Sequence, residues 1–549
     1  MKNDINTLET LVDAHFDQNP ALSLPFCVLF NFMSEIATVR LIKEGNVDTE
    51  LLNPLMYVFE RDLDLTPLSL KECRDRFDDV AALDPATLDL MKCANLNIVF
   101  PFIHTGVYTY TRLDQRTSLV DYTSAEARRA ELMDSVLSNL SIPTIPKFIV
   151  PGTQEHWVAV KRRLDRREVP NVIKSTQYIE KIYKAITHSY REAELVPELF
   201  YSNLGFSDAD AFRKIRQALC AICYAYMQTT IVINRYCQER ELDDNIEYAL
   251  REGLAMAVVP KQAIKELSLK LTGANESDFN KFGEFFFENG STRSNISKRF
   301  LPPFWNLGEM LYFCPGAAFS SMSTRNLLIT VQNNPTFAEK YKFHEQISGL
   351  FEPALLQRAK QLFEANGFDV VLEKKIPGTE IDLLAFCAKS KTLLTVQAKA
   401  TLYPEGARMV RNLDGRISEG IGQLEKFDRL SNKEKTRIIN DCFPGAGEKR
   451  PQHINGILTN SSFGTYKSWE RMNHGKIIPI NCNILRHVLP LCADLTELAE
   501  QTEKYIERCL ALVNYEIKDK TFEIGDQLIL QKNLDFDIRK LYLDDLMGE

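Results

Sequence analysis

The chain has 549 residues, which is too long for one ordinary hydrophobic core and predicts two to four domains. Apolar residues make up 45% of it and charged residues 26%, which is normal for a globular protein and excludes a collagen-like or largely disordered chain. The net charge of −8 is unevenly spread, because residues 341–490 carry 22 Lys and Arg against 16 Asp and Glu, a net of +6. This basic segment indicates either a polyanionic partner or a chance distribution of surface charge.

Neither a membrane nor a secretory location is expected. The first residues, MKNDINTLETLVDAHF, are polar and acidic, unlike a signal or transit peptide. The most apolar stretch, 218–234, is barely long enough to span a bilayer and contains Gln228 and Asn234, so it is interpreted as a buried core helix. Twelve scattered cysteines fit reduced thiols better than a disulfide framework, which predicts a cytoplasmic protein.

Residues 1–340 are predicted to be mainly helical. Apolar residues recur there at spacings of three and four, as in LPFCVLFNFMSEIATVRLIKEG. Prolines interrupt the pattern at 141–153, which suggests one helical subdomain over 1–150 and a second over 151–340. No motif in this region indicates a chemistry.

The pattern changes after residue 340. An amphipathic helix ends near Gly367, and three strands follow in FDVVLEKK, EIDLLAFCA and TLLTVQAKA. A helix, RISEGIGQLEKFDRL, and a strand, INGILTNSS, come next. Residues 341–490 are therefore predicted to form an α/β domain with an α-β-β-β-α-β core. Residues 491–549 are predicted to add a helix and a short hairpin.

Charged and polar side chains interrupt two of these strands at a spacing of two. Side chains alternate along a strand, so Glu380 and Asp382 share a face, and so do Gln397 and Lys399. If the two strands pair as a hairpin, the four side chains converge at one end. Carboxylate and amide oxygens suit Mg²⁺, so Asp382 and Gln397 are candidate metal ligands, with the Ala398 carbonyl beside them.

Such a site suits phosphodiester hydrolysis. A metal ion would polarise the phosphate and lower the pKa of a bound water. Lys399 would orient that water or stabilise charge that develops in the transition state. Asp382, Gln397, Lys399 and Glu380 are therefore the candidate catalytic residues, with Mg²⁺, or Mn²⁺ in its place, as the cofactor.

At these residues the chain resembles the PD-(D/E)XK nuclease superfamily, in particular its Mrr-like and RecB-like branches, where Gln can replace the acid of the third strand. The family's restriction-endonuclease-like core has the order α-β-β-β-α-β, with an acid in the first helix, Asp on the second strand and (D/E)-x-K on the third. Glu352, Asp382 and Gln397-Ala398-Lys399 stand at these positions. The resemblance covers residues 345–465 and implies that Glu352 is a further metal ligand.

The next helix contains QLEKF, which is similar to the Q-h-x-x-Y motif of RecB-like nucleases, with Phe427 in place of Tyr. Gln423 is therefore a candidate nucleic-acid-binding residue, as are the arginines that follow the third strand, Arg408, Arg411 and Arg416. The alternative interpretation of these residues, and of Glu352, is an ordinary solvated helix surface.

The sequence thus predicts a metal-dependent endonuclease acting on DNA, with RNA as a further substrate class. The helical N-terminal region would serve sensing, targeting, or assembly with a second copy or a partner protein. A role in restriction or anti-phage defence follows from analogy at the level of the fold. The alternative is an inactive nucleic-acid-binding or scaffold protein that retains the fold, because Gln397 brings no negative charge to a metal.

Overall fold

A computed structural model describes most of the chain, and masked segments separate the described ranges. The described residues are 2–44, 64–77, 84–141, 150, 152–168, 170–189, 196–251, 253–289, 302–343, 347–401, 407–444, 446 and 452–537. Most of the predicted break at 141–153 lies outside them.

The N-terminal region is mainly helical, as its periodicity predicts. Its helices are α1 (Lys2–Asp17), α2 (Phe26–Glu44), α3 (Leu70–Phe77), α4 (Asp84–His104), α5 (Ala125–Ser141), α6 (Thr153–Asp165), α7 (Thr176–Ser189), α8 (Leu199–Asn203), α9 (Ala209–Glu239), α10 (Asp244–Arg251), α11 (Lys261–Thr272), α12 (Glu276–Phe286), α13 (Pro315–Ser321), α14 (Thr324–Asn333) and α15 (Pro335–Lys340).

Helix α9 contains the most apolar stretch of the chain. Asp208 caps its first turn by accepting a hydrogen bond from the Ala211 N–H. The helix is lined with buried residues and packs against α6, α7, α11 and α13, so the predicted core helix is confirmed. In the described part of the chain, no helix combines the length and the apolarity needed to cross a membrane.

The second half of the chain alternates helices and strands. Its helices are α16 (Phe351–Ala365), α17 (Ala407–Asp428), α18 (Asn432–Cys442), α19 (Tyr466–His474), α20 (Cys482–Val488) and α21 (Leu498–Leu512). Helix α16 buries Phe351, Leu355 and Phe363, and Gly367 follows it with a φ of 80° that suits glycine.

The described strands form three sheets. They are β1 (Tyr108–Arg112), β2 (Thr117–Tyr122), β3 (Ala257–Pro260), β4 (Phe287–Asn289), β5 (Phe304–Leu307), β6 (Met310–Phe313), β7 (Asp369–Ile376), β8 (Thr379–Cys387), β9 (Thr392–Lys399), β10 (Gln452–Thr459), β11 (Ile477–Asn481), β12 (Asn514–Ile524) and β13 (Gln527–Asp537). Their orders are β1-β2-β13-β12, β3-β6-β5-β4 and β11-β10-β9-β8-β7.

The five-stranded sheet carries the candidate site. Strands β7, β8 and β9 are consecutive and antiparallel, whereas β10 and β11 run parallel to β9. Parallel neighbours need a crossover, and α17 and α18 provide it between β9 and β10. Both faces of the sheet are covered, and every residue of β9 is buried. The order predicted for 341–490 is present, with α18 as an addition.

The hydrophobic core is continuous across much of the chain. One cluster of buried side chains extends from Ala130 to Ile506 and joins the helices around α9 to the five-stranded sheet. A second gathers side chains of α1, α2 and α4 with others from β5, β12 and β13. Each of the two clusters contains residues from both sides of positions 340 and 490. The division into 1–150, 151–340, 341–490 and 491–549 stays a prediction.

Candidate functional site

The site lies where β8 and β9 separate. Their paired residues run from Cys387 opposite Thr392 to Leu383 opposite Val396. Beyond that point β8 stays paired with β7 as far as Thr379, and β9 stays paired with β10 as far as Lys399. The pairing of the two strands therefore ends at Leu383 and Val396. Asp382 and Gln397 are the first residues beyond this last pair.

Two side chains replace the missing backbone pairing. The Ala398 N–H donates a hydrogen bond to Asp382 Oδ2 at 2.7 Å, and Gln397 Nε2 donates to the backbone carbonyl of Glu380 at 2.6 Å. Buried backbone groups need such partners, because leaving one unpaired costs about 1–3 kcal/mol. These bonds tie the Asp382 carboxylate and the Gln397 amide each to the backbone of the other strand, just beyond the last residues that pair in the hairpin.

The second amide atom of Gln397 has no partner in the described part of the chain. The residue is fully buried, and among the described residues no donor reaches its Oε1. The bond from Nε2 to a carbonyl fixes which amide atom is the donor, so Oε1 is the free acceptor. A buried acceptor without a donor is rare and calls for an explanation such as an ion or a water molecule.

Lys399 is held by helix α17. Its side chain is 7% exposed, and its ammonium donates to Gln423 Oε1 at 3.1 Å. Gly420 lies one turn earlier on α17, and a Cβ placed there would lie 2.9 Å from Lys399 Cε and 3.4 Å from Gln397 Cβ. Glycine at this position therefore lets the helix approach the strand closely enough for Gln423 to reach the lysine.

Burial raises the pKa of Asp382 to about 6, and the carboxylates of Glu352 and Glu380 add to the rise. The Ala398 N–H and the Lys399 ammonium oppose it, because both favour the charged form. At neutral pH the Asp382 carboxyl is mostly ionised. Keeping it ionised costs the folded chain free energy, because the raised pKa means that the folded state disfavours the charged form. Such a perturbed carboxyl beside a lysine is a common feature of functional sites.

The remaining predicted residues lie at different distances from this centre. Glu352 on α16 faces Arg416 on α17, with 4.0 Å between the carboxylate and the guanidinium, and Arg416 also donates to the Ala400 carbonyl at 2.9 Å. Arg411 is exposed and lines a cavity on another side of α17. Arg408 lies in the first turn of α17, but its side chain is outside the described residues.

The donor set suits a hard cation that takes few protein ligands. In the ranges that the structure describes, no three His, Cys, Asp or Glu side chains gather in a metal-binding arrangement. Mg²⁺ keeps several waters and commonly takes one or two carboxylates, and it accepts amide and carbonyl oxygens. Asp382, with the free Oε1 of Gln397, fits that requirement, and Glu352 and Glu380 add negative charge nearby.

Sequence reasoning did not single out Gly420. It lies three residues before Gln423, so the two occupy one face of a helix, and that spacing was the available signal. It also did not predict that Gln423 contacts Lys399 rather than a ligand directly.

Comparison with protein-family models, with curated proteins and with solved structures gives no match for this chain.

Proposed function

We propose that the chain is a metal-dependent endonuclease of the PD-(D/E)XK superfamily that hydrolyses phosphodiester bonds of DNA. One observation carries the proposal: among the described residues the fully buried Gln397 has an acceptor without a donor, and its amide is bonded to the Glu380 carbonyl, two residues before Asp382, where two strands diverge. A buried orphan acceptor next to an ionisable carboxylate is explained by a cation that both would bind.

Each residue of the site then has a separate task. Mg²⁺, when bound, would polarise the scissile phosphate and favour ionisation of the attacking water. Asp382 supplies the charged ligand and Gln397 the neutral one. Lys399, fixed by Gln423, directs its ammonium toward the reacting phosphate, where it opposes the negative charge that develops in the transition state. Its burial strengthens this interaction, because water screens it less.

The surroundings are consistent with a nucleic-acid substrate. Residues 341–490 carry a net charge of +6 in a chain of net charge −8, so phosphate would be attracted to this segment. The helical region would control or target the nuclease. It would do so by assembling with a second copy of the chain or with a partner protein. One active site cuts one strand, so double-strand cleavage would require a dimer or two successive nicks. Restriction or anti-phage defence in the cytoplasm is the setting that the analogy suggests.

A second candidate function is a silent nucleic-acid-binding protein. The observation that favours it is the absence of a three-acid group among the described residues, together with a neutral Gln397 in place of an acid. With one carboxylate and one amide, the affinity for Mg²⁺ would be lower than with two carboxylates.

Cleavage assays separate the two candidates. Supercoiled plasmid, linear duplex DNA and single-stranded RNA are incubated with the full chain in Mg²⁺, in Mn²⁺ and in EDTA. Asp382→Ala and Lys399→Ala are compared with Lys389→Ala, a matched control at the exposed β8–β9 turn. The proposal expects metal-dependent cutting of DNA that both site variants reduce about 100-fold or more and that Lys389→Ala leaves unchanged. DNA binding without cleavage under every condition would instead support the silent protein.

A further inference from the structure

A cavity of about 480 Å³ lies on a different side of α17 from the candidate active site. Three parts of the chain enclose it: the end of α4 with the segment before β1, the first half of α17, and the start of α19. The volume is within the usual range of about 300–1,000 Å³ for small-molecule sites. It is thus large enough for a ligand rather than for a few waters.

Three cations line this cavity, and none of them has a carboxylate partner among the described residues. Lys467 Nζ donates to the Thr105 carbonyl at 3.0 Å, and the Arg471 guanidinium donates to Ser418 Oγ. Arg411 has neither an ion pair nor a hydrogen bond with any described residue. Each of the three side chains is exposed, so its remaining N–H groups are accessible to a ligand.

Asp414, the acid in the cavity wall, already accepts hydrogen bonds from the protein. Asp414 accepts hydrogen bonds from the Thr465 N–H at 2.8 Å, from Thr465 Oγ1 at 2.7 Å and from Ser468 Oγ at 2.6 Å. Its carboxylate therefore fixes the start of α19 against α17, and it is one acid beside three cations in the cavity lining. The cavity keeps a positive balance around a scaffold that these bonds hold in place.

The remaining wall is apolar and aromatic. Phe102, Val107 and Val410 line it, beside His104, whose Nε2 lies 2.9 Å from Glu9 Oε2. Cations on one side and an aromatic ring on the other suit a ligand that has both a phosphate group and a flat base. We infer that this cavity binds the phosphate group of a nucleotide, supplied either by a free nucleotide or by the end of a nucleic-acid strand.

The inferred site is separate from the proposed nuclease centre. Arg411, Gly415 and Ser418 lie on the face of α17 that borders the cavity, whereas Gly420 and Gln423 lie on the face that contacts β9. The inference therefore does not depend on cleavage activity. Both sites share one helix, so a ligand that shifts α17 in the cavity would also move the partner of Lys399.

Binding to the full chain tests the inference. Titration calorimetry in EDTA, which leaves the metal site unloaded, measures the affinity for ATP, for inorganic phosphate and for a 5′-phosphorylated hexanucleotide. The double variant Arg411→Ala/Arg471→Ala is compared with Arg429→Ala, an exposed arginine at the other end of α17 that pairs with Glu425. Loss of two charge-assisted hydrogen bonds is expected to weaken binding at least about 10-fold, while Arg429→Ala binds as the wild type does.

The measured affinities support or contradict the phosphate site as follows. Binding of ATP that the double variant loses supports a free-nucleotide site, and binding of the hexanucleotide alone that the double variant loses supports a strand-end site. Absence of binding of all three compounds at about 1 mM would overturn the inference, as would binding that is equal in the wild type and the double variant. Because all the replaced side chains are exposed, the variants should keep the fold, and a thermal melt of each verifies this.

Discussion

Replacing Asp382 with Asn should make the protein more stable while it abolishes cleavage. The folded chain holds the ionised carboxyl at a cost, because burial and two nearby carboxylates raise its pKa from 3.8 to about 6. The amide of the Asp382→Asn variant has nearly the same shape, can still accept from the Ala398 N–H, and carries no charge to desolvate. Function and stability are therefore expected to oppose each other at this position.

The size of the effect follows from the two pKa values. The difference between 3.8 and about 6 corresponds to about 3 kcal/mol, at about 1.4 kcal/mol for each pH unit. This cost is already net of the favourable interactions with the Ala398 N–H and Lys399, since both contribute to the pKa itself. Asp382 is 9% exposed, so solvent screening reduces the figure little.

The sign of the pH dependence is fixed by the raised pKa. Between pH 3.8 and about 6 the folded wild type keeps a proton that the unfolded chain has released, so this group makes wild-type stability fall as the pH rises. The Asp382→Asn variant has no such proton. The variant should therefore exceed the wild type by about 3 kcal/mol at pH 7.5 and by about 1 kcal/mol at pH 4.5.

Urea denaturation in EDTA, at both pH values, measures this difference. Asp369→Asn is the matched control, because Asp369 is an exposed aspartate at the start of β7 in the same sheet, and it should change stability by less than about 0.5 kcal/mol. Adding Mg²⁺ should stabilise the wild type and leave the Asp382→Asn variant almost unaffected. A variant that is less stable than the wild type at pH 7.5, or a difference that does not shrink at pH 4.5, would refute the reasoning.

Three further predictions concern cleavage by the same site. Gly420→Ala should reduce the cleavage rate at least about 10-fold, because its Cβ would displace the Lys399 side chain. Gly422→Ala is the control, because its Cβ would meet nothing within 4 Å, and it should cleave as the wild type does. Equal rates in both variants would contradict this prediction. At Mg²⁺ concentrations well below saturation, the single-turnover rate should fall as the pH drops below about 6, since a proton then competes with the metal for Asp382, and a rate that stays flat down to pH 5 at such concentrations would count against Asp382 as a ligand. Glu352→Gln should move this acidic limb to lower pH, because it removes a carboxylate that raises the pKa of Asp382, and an unmoved limb would place Glu352 outside the site.

Local pattern was enough to predict the strands that build the site. The runs around 368–376, 380–388 and 392–400 are apolar and β-branched and are separated by turn residues, and the structure places β7, β8 and β9 within a residue or two of them. Alternation along the strands then predicted that Asp382 and Gln397 meet. The strands were predictable because a hairpin is fixed by neighbouring residues and a short turn, with no information needed from distant parts of the chain. The structure ties each of the two side chains to the backbone of the other strand, beyond the last paired residues.

Features that depend on distant partners could not be predicted in this way. Strand β2 pairs in parallel with β13, so that Leu119 lies opposite Leu530 across more than 400 residues of sequence, and nothing near either strand indicates the other. The sequence accordingly predicts a helical subdomain over 1–150 and only a short hairpin within 491–549, where the structure has the two long strands β12 and β13. The separation of β8 from β9 could not be predicted either. It depends on β8 staying paired with β7 while β9 stays paired with β10.

This separation gives a physical reason for a neutral residue at position 397. The Glu380 carbonyl at the diverging end of β8 needs a donor, and Gln397 Nε2 supplies it at 2.6 Å. A glutamate there would set a buried carboxylate oxygen against that carbonyl, which costs free energy unless a proton or a cation lies between them. The amide therefore completes the strand end with one atom and leaves the other, Oε1, as a preformed acceptor. Under the proposed function, Gln397 is a metal ligand without charge whose amide is already fixed in place before the metal binds.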